Sequence, residues 1–132
     1  MNDFIYPDWK VPNFIRAIQT TRKGGYSVGA NYEKFNLSHY VGDDQNSVNL
    51  NIKQLKDNVP NDIFWIEQVH GKKLIQLPKD ITSRKADGCY SKEKNVICAV
   101  RTADCLPILI TDTRGTFVLT IHAGWRGLGL GI

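Results

Sequence analysis

The sequence predicts an α+β fold in which several short strands accompany at least one helix. Apolar and polar residues alternate in short runs along the second half of the chain, as in strands that bury one face. A segment after residue 43 instead repeats its apolar residues at helical spacing. Because the chain shows neither a repeat nor a regular alternation of strand and helix, these elements predict α+β rather than a parallel α/β sheet.

The N-terminal part of the chain is predicted to be extended and rich in loops. Residues 1–15 resemble an extended arm. Residues 14–21 have a composition that suits a strand, with a helical turn over 15–19 as the alternative. The adjacent Gly24 and Gly25 predict a turn, since glycine reaches positive φ without steric cost. Residues 26–42 then form a loop in this interpretation.

One helix is predicted after this loop. Asp43 or Asp44 provides an N-cap, and Pro60 closes the segment because proline cannot continue a helix. The apolar residues that share one face are Val48, Ile52 and Leu55.

Strands are predicted beyond Pro60, together with one short strand or turn at 86–90. The remaining strand segments are 64–69, 72–77, 96–101, 106–111 and 117–122. Pro107 cannot donate a ladder hydrogen bond and therefore predicts an edge strand or a bulge. Residues 112–115 predict a hairpin turn, and a helix is expected to begin after His122.

Composition and charge exclude several classes of protein. The chain has 132 residues and a net charge of +4 from scattered basic residues, so a nucleic-acid-binding surface is not predicted. A modest positive field would still favour an anionic substrate such as phosphate. No apolar run approaches the ~20 residues of a membrane span, and residues 1–4 do not begin a signal peptide. The three cysteines form no CxxC motif, so we expect a reducing, cytoplasmic location.

Two histidines and one cysteine stand at the ends or edges of predicted strands. These residues are His70, Cys105 and His122. Imidazole nitrogen and thiolate sulfur are preferred ligands of Zn²⁺, and three protein ligands are typical of a catalytic rather than a structural zinc site. If they bind zinc, their ligand atoms should lie within about 4 Å of one another. Their spacing forms no local zinc motif, and on spacing alone an inert buried cysteine with hydrogen-bonded histidines is the stronger interpretation.

The same residues also permit nucleophilic catalysis without a metal. Cys105 would be the nucleophile and His122 the general base, with Asp104 orienting the histidine. The remaining cysteines, Cys89 and Cys98, are not predicted to be ligands, and Cys98 should behave as a small buried apolar residue.

Three further residues are candidates for substrate binding. Arg126 stands at a predicted helix start, where backbone N–H groups and a guanidinium can bind an anion, although a surface arginine is an equal alternative. Arg22 lies beside the Gly24–Gly25 turn, whose amides can converge on an anion. Asn36 can contact a polar ligand, but turn formation is the more common use of such a residue.

Seven short blocks of the sequence, taken in order, resemble the YfiH family, also called the laccase-domain or multicopper polyphenol oxidase-type family. The blocks are TTRKGGYS at 20–27, FNLS at 35–38, VGDD at 41–44, QVHG at 68–71, ADG at 86–88, TADCLP at 102–107 and HAGWRG at 122–127. The last two are the most specific.

This resemblance implies a fold, a metal and an activity. The fold would be a layered sandwich of mixed β-sheets with outer helices, similar to the catalytic domain of cytotoxic necrotizing factor. His70, Cys105 and His122 would hold zinc, with copper as an alternative, and Arg22, Asn36 and Arg126 would contact substrate. The implied activity is phosphorolysis of adenosine, inosine and methylthioadenosine, together with hydrolytic deamination of adenosine.

The resemblance also leaves alternatives open. Members of the family continue for about as long again after HAGWRG, which implies that residues 1–132 are the N-terminal portion of one YfiH-like domain whose C-terminal half is missing. We therefore expect residues 1–132 alone to show little or no turnover. The alternatives are a Cys/His hydrolase or amidase of the peptidoglycan-editing type, a copper-dependent polyphenol oxidase, and an inactive remnant.

Overall fold

The structure is a computed structural model that describes residues 3–132 and has an α+β fold, as predicted. Its elements are β1 (Phe4–Ile5), β2 (Gln19–Thr20), α1 (Gln45–Lys56), β3 (Leu74–Gln76), β4 (Gly88–Ser91), β5 (Leu106–Thr111), β6 (Val118–Ala123) and α2 (Trp125–Leu130). The chain divides into two compact units. The first runs to Trp9 and resumes at Arg16–Pro60, and the second comprises Lys10–Ile15 and Asn61–Ile132. No helix within residues 3–132 is long and apolar enough to cross a membrane.

The first unit contains the β1–β2 pair, the predicted glycine turn and α1. The two strands are antiparallel and each is only two residues long, so the strand predicted over 14–21 is confirmed only at its end. Gly24 adopts a φ of +83°, as the turn requires. A side chain at Gly25 would overlap the backbone of Lys34, so both glycines are needed.

Helix α1 has the predicted N-cap. The Asp44 side chain accepts a hydrogen bond from the backbone N–H of Ser47 at 2.8 Å, which satisfies a donor that the helix itself leaves unpaired. The helix ends at Lys56, four residues before Pro60. Val48 and Leu55 are buried, which confirms the predicted apolar face.

The second unit is built on a four-stranded mixed sheet. Its strand order is β3-β4-β6-β5, with β3 and β4 parallel and the other pairs antiparallel. Strand β5 is at the edge, as Pro107 predicted. The turn after β5 is closed by a 3.0 Å hydrogen bond from Gly115 N–H to the Asp112 carbonyl, with Gly115 at a φ of +66°. The apolar core beside the sheet consists of Ile66, Ile75, Leu77, Ala86 and Cys89.

Two of the predicted strands are wrong. Residues 64–69 and 96–101 do not form strands, and only isolated parallel bridges mark them, at Ile63–Ile97 and Glu67–Lys85. The amide of Gln68 replaces part of a ladder, because it donates to the Arg101 carbonyl at 2.7 Å and accepts from the Arg101 N–H at 2.7 Å. The apolar residues of both segments still pack on the core, so their alternation reflects burial without strand pairing.

Candidate metal centre

Three separate segments of the second unit bring His70, Cys105 and His122 together. His70 occupies a turn and has a φ of +57°, Cys105 directly precedes β5, and His122 lies near the end of β6. The metal-binding atoms of the three side chains all lie within 4.8 Å of one another. His122 is buried, Cys105 is half-buried and His70 is exposed, so the cluster opens to solvent on the His70 side.

The donor set suits a small metal ion, although the donor atoms are spaced more widely than metal binding requires. Tetrahedral Zn–N and Zn–S bonds place the donor atoms about 3.5 Å apart. The observed upper limit of 4.8 Å is wider than this value and wider than the limit of about 4 Å expected from the sequence. His70 is the exposed member of the cluster, with its ring centroid 4.8 Å from that of His122, so rotation of its side chain would meet the least steric resistance if the donors drew together around a metal.

Gly124 lies between the three side chains. A Cβ at this position would lie 3.1 Å from Cys105 Sγ, 3.2 Å from His70 Cδ2 and 3.8 Å from His122 Cε1. Any side chain here would therefore occupy the space in which the donor atoms meet. Gly127 serves the same region, since its Cβ would lie 2.9 Å from the Gly71 carbonyl oxygen. The glycines of the HAGWRG block thus permit close packing around the cluster.

Asp87 is the residue of this site that sequence reasoning missed. Its side chain is fully buried and accepts hydrogen bonds from the backbone N–H groups of Val69, His70 and Gly71 and from the ring of His122. Burial by itself raises the pKa of Asp87, but these hydrogen bonds, led by the one from His122, outweigh it and lower the pKa below 3.8. The only signal in the sequence was the ADG block, which carries no spacing that relates it to either histidine.

The environment of Cys105 disfavours a thiolate nucleophile. Burial raises the pKa of Cys105, and the nearby carboxylates of Asp104 and Asp87 raise it further. A nucleophilic cysteine needs the opposite, an electropositive surrounding. The expectation that Asp104 orients His122 is wrong, because Asp104 accepts a hydrogen bond from Cys105 Sγ at 3.8 Å while Asp87 contacts the histidine. Bound metal is what would favour the thiolate here.

The other two cysteines lie away from the cluster. Cys89 is fully buried in the core, and Cys98 packs against it from a partly buried position. The hydrogen bond with Cys98 lowers the pKa of Cys89 to about 7, and that of Cys98 is raised by the same contact. Neither belongs to the group of metal-binding side chains found within residues 3–132.

Arg126 lines an open cleft beside His70. The cleft has a volume of about 410 Å³ and is lined by His70, Trp125, Arg126, Gly129 and Leu130. The Arg126 guanidinium lies 5.0 Å from the centre of the Trp125 ring, a cation–π distance. Helix α2 has only six residues, so its dipole adds little to an anion site. An anion-binding role for Arg126 therefore depends on its own charge and stays a prediction.

Arg22 and Asn36 belong to the first unit, where both make internal hydrogen bonds. Arg22 is exposed and donates from Nε to the Glu33 carbonyl at 2.8 Å. The amide nitrogen of Asn36 donates to Asp43 and to the Ser38 carbonyl, and its oxygen accepts from the Ser38 N–H. Asn36 thus supports a turn, as the competing interpretation held, and its contact with substrate stays a prediction.

The amino-acid sequence is similar to those of known proteins. A family model described as multi-copper polyphenol oxidoreductase laccase matches residues 16–132. A protein of Escherichia coli (strain K12) named purine nucleoside phosphorylase YfiH is 42% identical over 100% of this chain and 55% of its own length. A purine nucleoside phosphorylase of Haemophilus influenzae is 44% identical over 97% of this chain and 53% of its own.

Solved structures agree with these matches. The crystal structure of Neisseria meningitidis protein NMB0706 has a TM-score of 0.85 and 38% identity, and the match covers 97% of this chain and 53% of that one. YlmD from Geobacillus stearothermophilus has a TM-score of 0.76 and 32% identity over 86% of this chain and 46% of that one. The chain spans about half the length of the curated relatives it matches. The assignment of residues 1–132 to the N-terminal portion of a single domain stays a prediction.

Proposed function

The chain belongs to the family described as multi-copper polyphenol oxidoreductase laccase, and from that premise we propose that it carries the metal centre of a zinc-dependent purine nucleoside phosphorylase. The single observation that carries the proposal is the convergence of His70, Cys105 and His122 within 4.8 Å. The relatives' names supply the reaction class, since proteins 40% to 44% identical to this chain are named purine nucleoside phosphorylases.

Zinc suits this donor set better than the other common metals do. Two imidazoles and one thiolate are the mixed ligands that Zn²⁺ accepts, and three protein ligands leave a position for water or substrate. Bound zinc supplies Lewis-acid polarisation and lowers the pKa of a coordinated water. The chain itself holds the three donor side chains, and its Cys105 thiol would give up a proton to become a ligand. Glycine at position 124 leaves the space between the donors free of any side chain.

The substrate-binding residues have distinct proposed tasks. In phosphorolysis, a phosphate oxygen forms a bond to the anomeric carbon of the ribose, and the glycosidic bond breaks with its electron pair passing to the purine. Arg22 and Arg126 are each a candidate to bind the phosphate, because a guanidinium can donate two parallel hydrogen bonds to it. Asn36 would contact the nucleoside. We propose hydrolytic deamination of adenosine as a second reaction of the same site, one that requires no phosphate.

The test is an assay that separates the two reactions. The purified protein is incubated with adenosine, inosine or methylthioadenosine, with and without phosphate, and the free bases and inosine are quantified. Phosphate-dependent release of base that is lost on chelation and restored by zinc supports the proposal. Base release that survives removal of the metal would overturn the zinc requirement. Absence of release from all three nucleosides by the zinc-loaded protein with the downstream half of the domain restored would overturn the reaction class.

A copper-dependent oxidase is the second candidate, and the description of the matching family as multi-copper polyphenol oxidoreductase laccase favours it. A site with two histidines and one cysteine also binds copper, which exceeds zinc in raw affinity. The sequence contains only three histidines, and residues 3–132 contain one group of metal-binding side chains, so a site for several copper ions is not built from these residues. Oxygen uptake with a catechol by the copper-loaded protein, but not by the zinc-loaded protein, would support this candidate.

A further inference from the structure

We propose that Asp87 is the positioning residue of the metal centre, one buried carboxylate that orients both histidine ligands at once. This inference rests on the proposed metal site. It concerns a residue to which neither the family description nor the relatives' names assign a role. The contacts of its two carboxylate oxygens carry the argument.

The first contact sets the tautomer of His122. Asp87 Oδ1 lies 2.9 Å from His122 Nδ1, and the backbone N–H of His122 donates to the Asp87 carbonyl at 2.7 Å. The other hydrogen-bond partners of the Asp87 carboxylate within residues 3–132 are all backbone N–H groups, and a carboxylate has no proton to give. The proton between the two side chains therefore belongs to Nδ1, which leaves the Nε2 lone pair of His122 for the metal.

The second set of contacts holds the turn that carries His70. Three consecutive backbone N–H groups point at the Asp87 carboxylate, from Val69 at 3.2 Å, from His70 at 2.8 Å and from Gly71 at 2.7 Å. Convergent amides of this kind form an anion-binding concavity. His70 has a φ of +57°, which is unfavourable for a residue with a side chain. The carboxylate stabilises this conformation and so fixes where the His70 ring projects.

The distribution of donors over the two oxygens explains why an amide cannot replace the carboxylate. Oδ1 accepts from His70 N–H and from the His122 ring, and Oδ2 accepts from Val69 N–H and Gly71 N–H. Asparagine has one oxygen and one NH₂ group. If the NH₂ faces His122, Nδ1 must become the acceptor and the proton moves to Nε2, the atom that should bind metal. If the NH₂ instead takes the place of Oδ2 and faces the turn, it meets the N–H groups of Val69 and Gly71, which are donors themselves and need an acceptor.

The matched control is Asp43, the buried aspartate of the first unit. Its carboxylate accepts from Ser27 Oγ at 2.6 Å, from Asn36 Nδ2 at 2.9 Å and from the Asp44 N–H at 2.8 Å, and it contacts neither histidine ligand. Asp43→Asn therefore reproduces the loss of a buried, hydrogen-bonded carboxylate. It differs from Asp87→Asn in having no direct contact with a metal-binding side chain.

Zinc affinity is measured for the parent protein, Asp87→Asn and Asp43→Asn by competition with a chromophoric chelator, and each sample is substituted with Co²⁺ for absorption spectra. We expect Asp87→Asn to bind zinc about 10- to 100-fold more weakly and to show altered ligand-field bands. Asp43→Asn should retain the parental affinity and spectrum. Equal affinity of Asp87→Asn and the parent would overturn the inference, whereas a parent that binds no zinc would overturn the proposed metal site instead.

A measurement on the parent protein decides the matter even if Asp87→Asn does not fold. Nitrogen-15 NMR of the metal-free protein reports which ring nitrogen of each neutral histidine carries the proton. We expect His122 to be protonated at Nδ1 and His122 Nε2 to be the bare nitrogen. A proton found on Nε2 of His122 would show that Asp87 does not set the tautomer, and the inference would fail.

Discussion

Replacement of Gly124 by alanine tests the geometry of the metal centre with a single methyl group. Gly124 has a φ of −73° and a ψ of 162°, which any residue adopts, so the substitution leaves the backbone unstrained. The new Cβ would lie 3.1 Å from Cys105 Sγ and 3.2 Å from His70 Cδ2. The consequences of the substitution therefore come from the space between the donor side chains.

The size of the effect follows from these distances. Non-bonded carbon atoms prefer separations of about 3.5–4.0 Å, so His70 must retreat by roughly 0.3–0.8 Å. Cys105 Sγ, at 3.1 Å, must also give way. Of the two histidines, His70 is exposed whereas His122 is buried against Asp87, so movement falls on His70 rather than His122. The donor atoms are already wider apart than zinc requires, and further separation should weaken zinc binding by about tenfold or more, or about 1.4 kcal/mol.

The assay is chelator competition for zinc, with thermal unfolding measured in parallel. Gly129→Ala is the control, because a Cβ there meets nothing within 4 Å and the position lies in α2. That variant should keep the parental zinc affinity and gain about 0.5–1 kcal/mol of stability, the usual advantage of alanine over glycine in a helix. Parental zinc affinity in Gly124→Ala would refute the argument that the three donors meet at this point.

Four further outcomes are expected. Cys105→Ala should lose stoichiometric zinc while Cys98→Ala keeps it, and metal analysis showing the reverse would mean that the wrong cysteine was assigned. Zinc binding near pH 7 should release one proton from Cys105, because the raised pKa keeps that thiol protonated before the metal binds. Calorimetry in buffers of different ionisation enthalpy measures the number of protons released. If no proton is released, Cys105 is not a thiolate ligand. With the downstream half of the domain restored, Arg22→Ala should weaken phosphorolysis more than deamination, since only phosphorolysis uses phosphate, and equal losses would remove the proposed role. Because the pKa of Asp87 is lowered in the folded state, the stability that this carboxylate contributes is complete above pH ~4 and is lost as the pH falls through the folded-state pKa. Below pH ~4 the free energy of unfolding should therefore depend less on pH in Asp87→Asn than in the parent protein.

The parts of the fold that sequence reasoning predicted correctly are those with local causes. The N-cap at Asp44, the edge strand that contains Pro107 and the turn at Gly115 each follow from one residue's backbone chemistry. The cluster of His70, Cys105 and His122 was identified from ligand chemistry and a family resemblance, and no spacing rule places those segments together.

The failures involve contacts between distant residues. Gln68 bonds the backbone of Arg101 across 33 positions, and this side chain replaces the strand pairing that apolar alternation suggested. Asp87 reaches His122 across 35 positions. Apolar periodicity reports which side chains are buried, but it carries no information on whether a backbone group is satisfied by a ladder or by a side chain. Sequence reasoning therefore missed the residue that links the two histidines.

The metal centre depends on the register of the β4–β6 pair. Gly88 is paired with Ile121, which places Asp87 beside His122 one step further along, while Cys89 of the same strand lies in the apolar core opposite Thr120. A shift of one residue would reverse every side chain of one strand. Because residues two apart share a face of a strand, the shift would turn Cys89 out of the core and, with it, the Asp87 carboxylate away from the His122 ring. The same strand pairing thus builds both the core and the site. Burial of the core stabilises this register, and the register in turn holds Asp87 against His122.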